Sequence, residues 1–499
     1  MSKEIAGTNA SEGVREHVKV AIASLIGTTI EWYDFFLYGT AAALVFNKLF
    51  FPKFDPLVGT IMAFATLGIG FIARPVGGVV FGHFGDRIGR KMMLYLTLLI
   101  MGVGTTCIGL LPTYQSVGIW APILLVGCRL LQGFALGGEW GGAVLMAVEH
   151  APKNRRGFYG SWPQLGAPAG LVLGTLIFGY FSSYPEEQFL SWGWRIPFLV
   201  SVILVVVGLV IRMKIAESPV FEKVKAAKQE VKMPVIEAIK RHPKNILLAM
   251  GVRFAENGLF FIYAAFVFTY ATMVLKETRT MILTAVTIAA AIEVLTITLF
   301  GLLSDYIGRR PVYAFGAFFS GIWAFPFFWM LGHNNLALAA VAVTIGLAIG
   351  HAAMYGPQGS FLSDMFGANV RYSGASIGYQ LASIFAGALT PMISTWLVSL
   401  YGGAWLPVAL YMLLLALITG VCCLLAAETY KGTAEDALEA SPAVGTRKVK
   451  ILRPIPIGHT PGGNGEALHP VKARTTSQKR SHHPSPNRNH HRGDRQSID

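Results

Sequence analysis

Apolar runs long enough to cross a bilayer recur along the whole chain, separated by short polar connections. A membrane helix needs about 20 mostly apolar residues. The pattern predicts twelve such helices, over 20–45, 57–82, 91–111, 118–147, 157–181, 193–213, 246–272, 280–303, 312–331, 336–362, 372–400 and 404–427. Prolines fall inside several of them (Pro75, Pro163, Pro168, Pro326, Pro391), which membrane helices tolerate when neighbouring helices satisfy the freed backbone. A membrane β-barrel would instead show alternating segments of about ten residues. The expected fold is therefore all-α and integral to the membrane.

Composition agrees. Of 499 residues, 53% are hydrophobic and only 14% charged, against roughly a quarter charged in soluble domains. Residues 1–19 are polar and of mixed charge, so the first apolar run reads as a span rather than a signal peptide. Basic residues set the orientation. With the amino terminus inside, 20 Lys and Arg flank the spans on the cytoplasmic side and 5 on the other. An even span count then places both termini in the cytoplasm, and the expected location is the inner membrane. The net charge of +14 follows from this topology and calls for no nucleic-acid partner. The four cysteines (Cys107, Cys128, Cys422, Cys423) lie inside apolar runs without metal-ligand spacing and read as packing residues.

The longest connection, 214–245, is charged and in part helical. It divides the chain into six-helix units over 20–213 and 246–427. Residues 428–499 are rich in Pro, Gly, Ser, His and Arg and read as a disordered basic tail. The two units repeat each other. FGHFGDRIGRK at 81–91 matches FGLLSDYIGRR at 300–310, and RGFYGS from Arg156 matches RYSGAS from Arg371. Near-equal offsets point to one six-helix ancestor, duplicated; a midplane site between parallel repeats is one known transporter plan.

The repeated loop carries chemistry. Gly82 and Gly85 allow close backbone approach, Gly89 belongs to the same signature loop, Asp86 can pair with an arginine or cap a helix amino terminus, and Arg87, Arg90 and Lys91 anchor the cytoplasmic face. Asp305, Gly308 and Arg309 form the second copy. This loop resembles the signature of the major facilitator superfamily, and CRLLQGFALGG at 128–138 resembles its fourth-helix motif at Arg129, Gln132 and Gly133. IEWYDFFLYG (30–39), GGEWGGAVLMAVE (137–149), SWGWRIPF (191–198) and RYSGASIGYQLAS (371–383) are similar, more narrowly, to the metabolite:proton symporter family. PVIEAIKRHP (234–243) and MFGANVRYSGASIGYQ (365–380) resemble its shikimate branch. The resemblance spans about residues 18–428. It implies two six-helix bundles, proton-driven uptake of a small organic acid by alternating access, and a single chain as the working unit.

Ionisable groups in mid-bilayer are costly, so each is a functional candidate. Glu31 and Asp34 share one face of the first helix; a carboxyl group there can load and release a proton, and the resemblance favours Asp34 as the carrier. The alternative is a structural ion pair. Arg129 is expected to pair with Asp34 or Glu31, or to bind a substrate carboxylate. Arg253, Glu256 and Asn257 read either as an internal salt bridge or as an anion clamp. Arg74 is expected to snorkel toward the interface, and Glu293 is expected to be unpaired. Tyr38, Gln132, Trp140, Tyr355, Gln358 and Gln380 can complete a cavity, with Trp32, Gln164 and Tyr379 beside them. Glu139, Glu149 and Asp364 are expected at cytoplasmic helix ends, the last two gripping basic loops such as Arg156 and Arg371.

No Walker A or HExxH pattern occurs, so the sequence calls for no cofactor and no metal. GASIG at 374–378 fits a nucleophile-elbow pattern but opens a helix where a strand is needed. A proton-coupled exporter is the nearest rival; span five is glycine-rich but lacks the adjacent Gly-Pro of many antiporters. A membrane sensor on the same fold is the second rival.

Overall fold

The computed structural model describes residues 2–54, 56–227 and 231–429. Everything described belongs to one unit, Met1–Pro442; most of the expected basic tail lies outside the described residues. Twelve helices are long and apolar enough to span a membrane: α1 Glu16–Ala41, α2 Ile61–Ile88, α3 Arg90–Leu110, α4 Trp120–His150, α5 Lys153–Ser182, α6 Arg195–Met213, α7 Pro243–Met273, α8 Thr280–Ile307, α9 Arg309–Leu331, α10 Leu336–Asp364, α11 Arg371–Leu400 and α12 Leu406–Leu425. No strand occurs among the described residues. GASIG accordingly lies within α11.

Large apolar side chains stand exposed around the outside, such as Leu295 at 67% and Ile322 at 68%. They face lipid, since in hydrocarbon an exposed leucine carries no penalty. The polar and charged side chains of the spans turn inward instead. The helical backbone starts at Ser2 and runs without a break into α1. The 214–245 connection holds two short helices, Pro219–Ala226 and Pro234–Arg241. The first opens on Ser218, whose hydroxyl accepts from the Phe221 amide at 3.1 Å.

Two glycines set the tight turns between α2 and α3 and between α8 and α9. Gly89 has φ +129° and Gly308 φ +105°, a region that L side chains avoid. A Cβ at Gly89 would also stand 2.2 Å from a carboxylate oxygen of Glu217, and one at Gly308 2.9 Å from Glu428. Those carboxylates cap the helices that follow. Glu217 accepts from the Arg90 and Lys91 amides at 3.1 and 3.2 Å, and Glu428 from those of Arg309 and Arg310 at 3.2 and 3.0 Å. Each cap satisfies amides a helix start leaves unpaired.

Single π-turns interrupt the spans at Ile262–Phe266 in α7, Gly346–His351 in α10 and Ser383–Ala388 in α11. Such turns re-aim side chains and recur at functional sites. One of them holds His351 and another Ser383.

Candidate transport site

At the signature-loop end each half holds the other through a helix amino terminus. Asp86, at the foot of α2, accepts from the amides of Tyr372 (3.3 Å) and Ser373 (2.9 Å) and from the Ser373 hydroxyl (2.8 Å), all in the first turn of α11. Asp305, at the foot of α8, accepts from the amides of Gly157 and Phe158 at 2.7 and 2.8 Å, in the first turns of α5. A carboxylate on a helix amino terminus is stabilised by hydrogen bonds and by the helix dipole together. Asp86 also pairs with Arg90 at 3.3 Å. Both roles open to Asp86 are thus taken at once.

Charge pairs cross beside these caps. Glu149 of α4 meets Arg371 of α11 at 3.3 Å and Arg90 at 3.5 Å, and accepts from the Ser218 hydroxyl. Asp364 of α10 meets Arg156 of α5 at 3.9 Å and pairs with Arg309. Gly82 lies against Ser373, and Arg87 is exposed. The charged groups here except Arg87 are buried, so this end is closed by a polar seal.

Inside the N-terminal half, Asp34 is fully buried. It accepts from the Thr105 hydroxyl of α3 at 2.6 Å and the Ser201 hydroxyl of α6 at 2.7 Å. Gln132 donates to Thr105 at 2.7 Å and accepts from Arg129 at 3.1 Å. Arg129 therefore reaches Asp34 through an amide and a hydroxyl, not through the direct pair expected from sequence. Its guanidinium sits over Tyr38 at 4.4 Å and Phe35 at 5.3 Å. The Tyr38 hydroxyl is 2.5 Å from that of Thr66. Glu31 shares the helix face but not the surroundings: its Oε2 is buried without a hydrogen-bond partner.

The C-terminal half holds a longer network. Arg253 pairs with Glu256 at 3.1 Å, donates to the Tyr379 carbonyl at 2.8 Å and to the Ser383 hydroxyl, and lies over the Tyr379 ring. Glu256 accepts from Gln358 at 2.9 Å, and Gln358 donates also to the Tyr313 hydroxyl at 3.0 Å. His351 stands between two carboxylates. Its Nδ1 bonds Glu293 of α8, and its Nε2 faces Glu256 at 3.5 Å.

The halves meet at the centre. Trp140 of α4 stacks on Tyr379 of α11 with ring centroids 3.6 Å apart, and its indole N–H donates to Gln164 of α5 at 2.9 Å. Gln164 donates to Gln358 of α10 at 3.1 Å. Gln380 donates to the Gly137 carbonyl at 3.0 Å. A small cavity, about the size of one water molecule, lies beside these links, lined by Trp32 and Ala167 from one half and by Arg253, Glu256, Asn257, Phe260, His351 and Tyr355 from the other. Asn257 presents a buried Nδ2 without a partner.

The structure corrects four expectations. Arg74 does not snorkel; it is 5% exposed, its guanidinium lies over Phe71 at 4.2 Å and Phe35 at 5.3 Å, and its Nη2 has no hydrogen-bond partner. The rings offer a cation a nearer resting place than the interface. Glu293 is not unpaired, because His351 on α10 reaches it. Glu139 is not at a helix end; it lies well inside α4, where it pairs with Arg212 of α6 and accepts from Thr97 at 2.5 Å. The fourth is the relayed rather than direct contact of Arg129.

Sequence reading missed His351, Arg212, Thr105, Ser201 and the two capping glutamates. A signal existed for the last pair. Ala216-Glu217-Ser218 after α6 repeats as Ala427-Glu428-Thr429 after α12, and Ser218 and Thr429 each touch the polar seal.

This architecture is that of a two-bundle membrane transporter, with buried polar groups inside each half and a polar seal between them. The family model described as "Sugar (and other) transporter" matches residues 19–440, and the chain belongs to that family of the major facilitator superfamily. It is 46% identical to the shikimate transporter of Escherichia coli over 82% of this chain and 94% of that one. It is 43% identical to the E. coli inner membrane metabolite transport protein YhjE over the same shares, and 35% identical to the E. coli proline/betaine transporter over 85% and 86%. The fold matches the proton:xylose symporter XylE bound to 6-bromo-6-deoxy-D-glucose with TM-score 0.70, 17% identity and coverage of 86% and 99%. The protein is a transporter and not an enzyme.

Proposed function

We propose that the protein is a proton-driven symporter that takes up a small carboxylate metabolite, of the shikimate or di- and tricarboxylate class, across the inner membrane. On this reading both termini lie in the cytoplasm, the signature-loop end is the cytoplasmic gate, and one chain suffices, since its own two halves line the cavity.

The observation that carries the proposal is the setting of Asp34. Its partners are hydroxyls, which can accept as well as donate. The carboxyl can therefore gain or lose a proton without breaking a direct ion pair. The Thr105–Gln132 relay lets Arg129 sense that change. An anionic substrate is supported by donors left unused near the centre, Arg74 Nη2 and Asn257 Nδ2, beside Arg253 at the cavity wall. The shikimate transporter among the relatives handles a carboxylate, which fits such donors. Alternating access follows if substrate and proton each bind one facing state more tightly than the other; only such a difference can shift the balance. Substrate enters while the polar seal is shut, and the seal parts to release it.

The test is uptake of labelled shikimate into proteoliposomes with and without an inward proton gradient, with α-ketoglutarate, citrate and betaine as competitors. Gradient-dependent accumulation, lost in Asp34→Asn, is the expected result. Efflux of preloaded shikimate driven by an outside-acid gradient, with no accumulation under that same gradient, replaces uptake by export.

A further inference from the structure

We propose that Glu293, His351 and Glu256 form a second proton-binding centre, in the C-terminal half, which takes up a proton when a substrate carboxylate engages Arg253; this rests on the symport reading above.

The argument starts from charge. Among the described buried side chains, the N-terminal interior matches three arginines (Arg74, Arg129, Arg212) with three carboxylates (Glu31, Asp34, Glu139). The seal matches Arg90, Arg156, Arg309 and Arg371 with Asp86, Glu149, Asp305 and Asp364. The C-terminal interior has Arg253 alone against Glu256 and Glu293. An unpaired charge in a low-dielectric interior is strongly disfavoured, so this half needs one bound proton to be neutral. His351 is placed to hold it, with a ring nitrogen toward each carboxylate.

Facing the imidazole are Glu256 from α7, Glu293 from α8 and the Tyr355 ring from its own helix, and Arg253 reaches it through Glu256. Tyr313 of α9 joins through Gln358, Tyr379 of α11 through Arg253, and Glu31 of α1 lies within electrostatic reach of Tyr355. Phe260 closes the other face of the ring at 5.1 Å. His351 nevertheless has an outlet, because it and Glu256 both line the central cavity.

Substrate enters this balance at Arg253. A carboxylate taking that guanidinium displaces Glu256, which then has only His351 and Gln358. One proton from cavity water joins the Glu256 carboxylate or is shared with His351 Nε2, cancelling the charge the substrate brought. When substrate leaves, Arg253 returns to Glu256 and the proton returns to water. Anion and proton thus load together at a centre separate from Asp34.

The experiment uses the purified full-length protein and shikimate, a monocarboxylate, as probe. A pH-indicator dye in weak buffer reads proton uptake on shikimate addition in detergent, and proteoliposomes read counterflow exchange and gradient-driven accumulation. Expected: Asp34→Asn still takes up protons per shikimate bound, whereas Glu256→Gln, which has no carboxylate left to receive the proton, loses that uptake, and His351→Gln and Glu293→Gln shift its pH profile. Wild-type proton uptake per shikimate bound in Glu256→Gln, or a wild-type pH profile in both His351→Gln and Glu293→Gln, would overturn the centre. So would loss of all substrate-linked proton uptake in Asp34→Asn, an arm that decides even if none of the other variants exchanges shikimate. Wild-type protein that exchanges no shikimate, or exchanges it without moving protons, instead overturns the symport reading and the centre with it.

Discussion

In the N-terminal half the buried charges fall into short local groups: Glu139 with Arg212 and Thr97, and Asp34 with two hydroxyls, one of which leads through Gln132 to Arg129, while Glu31 and Arg74 each keep a buried atom without a hydrogen-bond partner. In the C-terminal half one connected network of ion pairs runs from Arg253 through Glu256 to His351 and Glu293. The first arrangement links helices α1, α3, α4 and α6 to one another and leaves the Asp34 carboxyl free of any direct ion pair. The second shares one deficit of positive charge among several groups, any of which can take up the slack. Duplication supplied the same scaffold twice, and the halves have put different electrostatics on it.

The largest effect expected from this difference is on stability. Glu139→Gln leaves Arg212 buried without its carboxylate, a change that costs about 3–5 kcal/mol in buried pairs. Glu293→Gln removes the surplus carboxylate of the other half and costs far less. Thermal unfolding of the two variants in detergent checks this. Equal losses of Tm would mean that the halves do not differ in the way their contacts imply.

At the seal the halves do behave alike, and a smaller effect is expected. Asp86 accepts three hydrogen bonds from α11 and pairs with Arg90; Asp305 accepts two from α5. Asparagine keeps one oxygen as acceptor but loses the charge, a change worth about 1.5–3 kcal/mol in all at such a site, and this energy holds the end shut rather than the fold together. Asp86→Asn and Asp305→Asn should each raise labelling of a cysteine placed behind the seal, with Asp86→Asn the stronger. Equal labelling in wild type and Asp86→Asn would remove the gate role.

The repeat made much of this legible in advance. Twelve spans, the six-plus-six division and the placing of Glu149 and Asp364 against basic loops follow from run length and offset, because apolar period and duplicated motifs are local properties of the chain; that Glu149 takes Arg371 and Asp364 takes Arg156 is seen only in the structure. The interior of each bundle was not legible in the same way. Which side chain meets Arg129 or Glu293 depends on how helices rotate against one another, and span length says nothing about rotation. His351 was passed over because a lone histidine on an apolar helix carries no pattern; only the arrival of α8 and α7 on either side gives it two carboxylates. Arg74 was misplaced for a related reason. Snorkelling depends on depth, but the rings of Phe35 and Phe71 supply a local alternative that depth cannot reveal.

The smallest effect separates exposed from buried pairing. Lys48, just after α1, donates to Glu186, before α6, at 2.5 Å, with side chains 50% and 72% exposed. It is the same type of contact as Glu139 with Arg212, but in water, where screening and lost side-chain freedom offset nearly all the Coulomb gain. The hydrogen bond from Lys48 and then its charge hold the Glu186 carboxyl below its ordinary value. A depressed carboxyl stabilises the fold above its unfolded-state pKa, and the contribution disappears as pH falls through the folded-state value. Lys48→Ala should therefore lower Tm only slightly at neutral pH and low salt, with the difference gone below about pH 4 and at high salt. A loss at neutral pH as large as that of Glu139→Gln would show that this outer pair fixes α1 against α6 as firmly as the buried one does, and that exposure is the wrong axis on which to separate them.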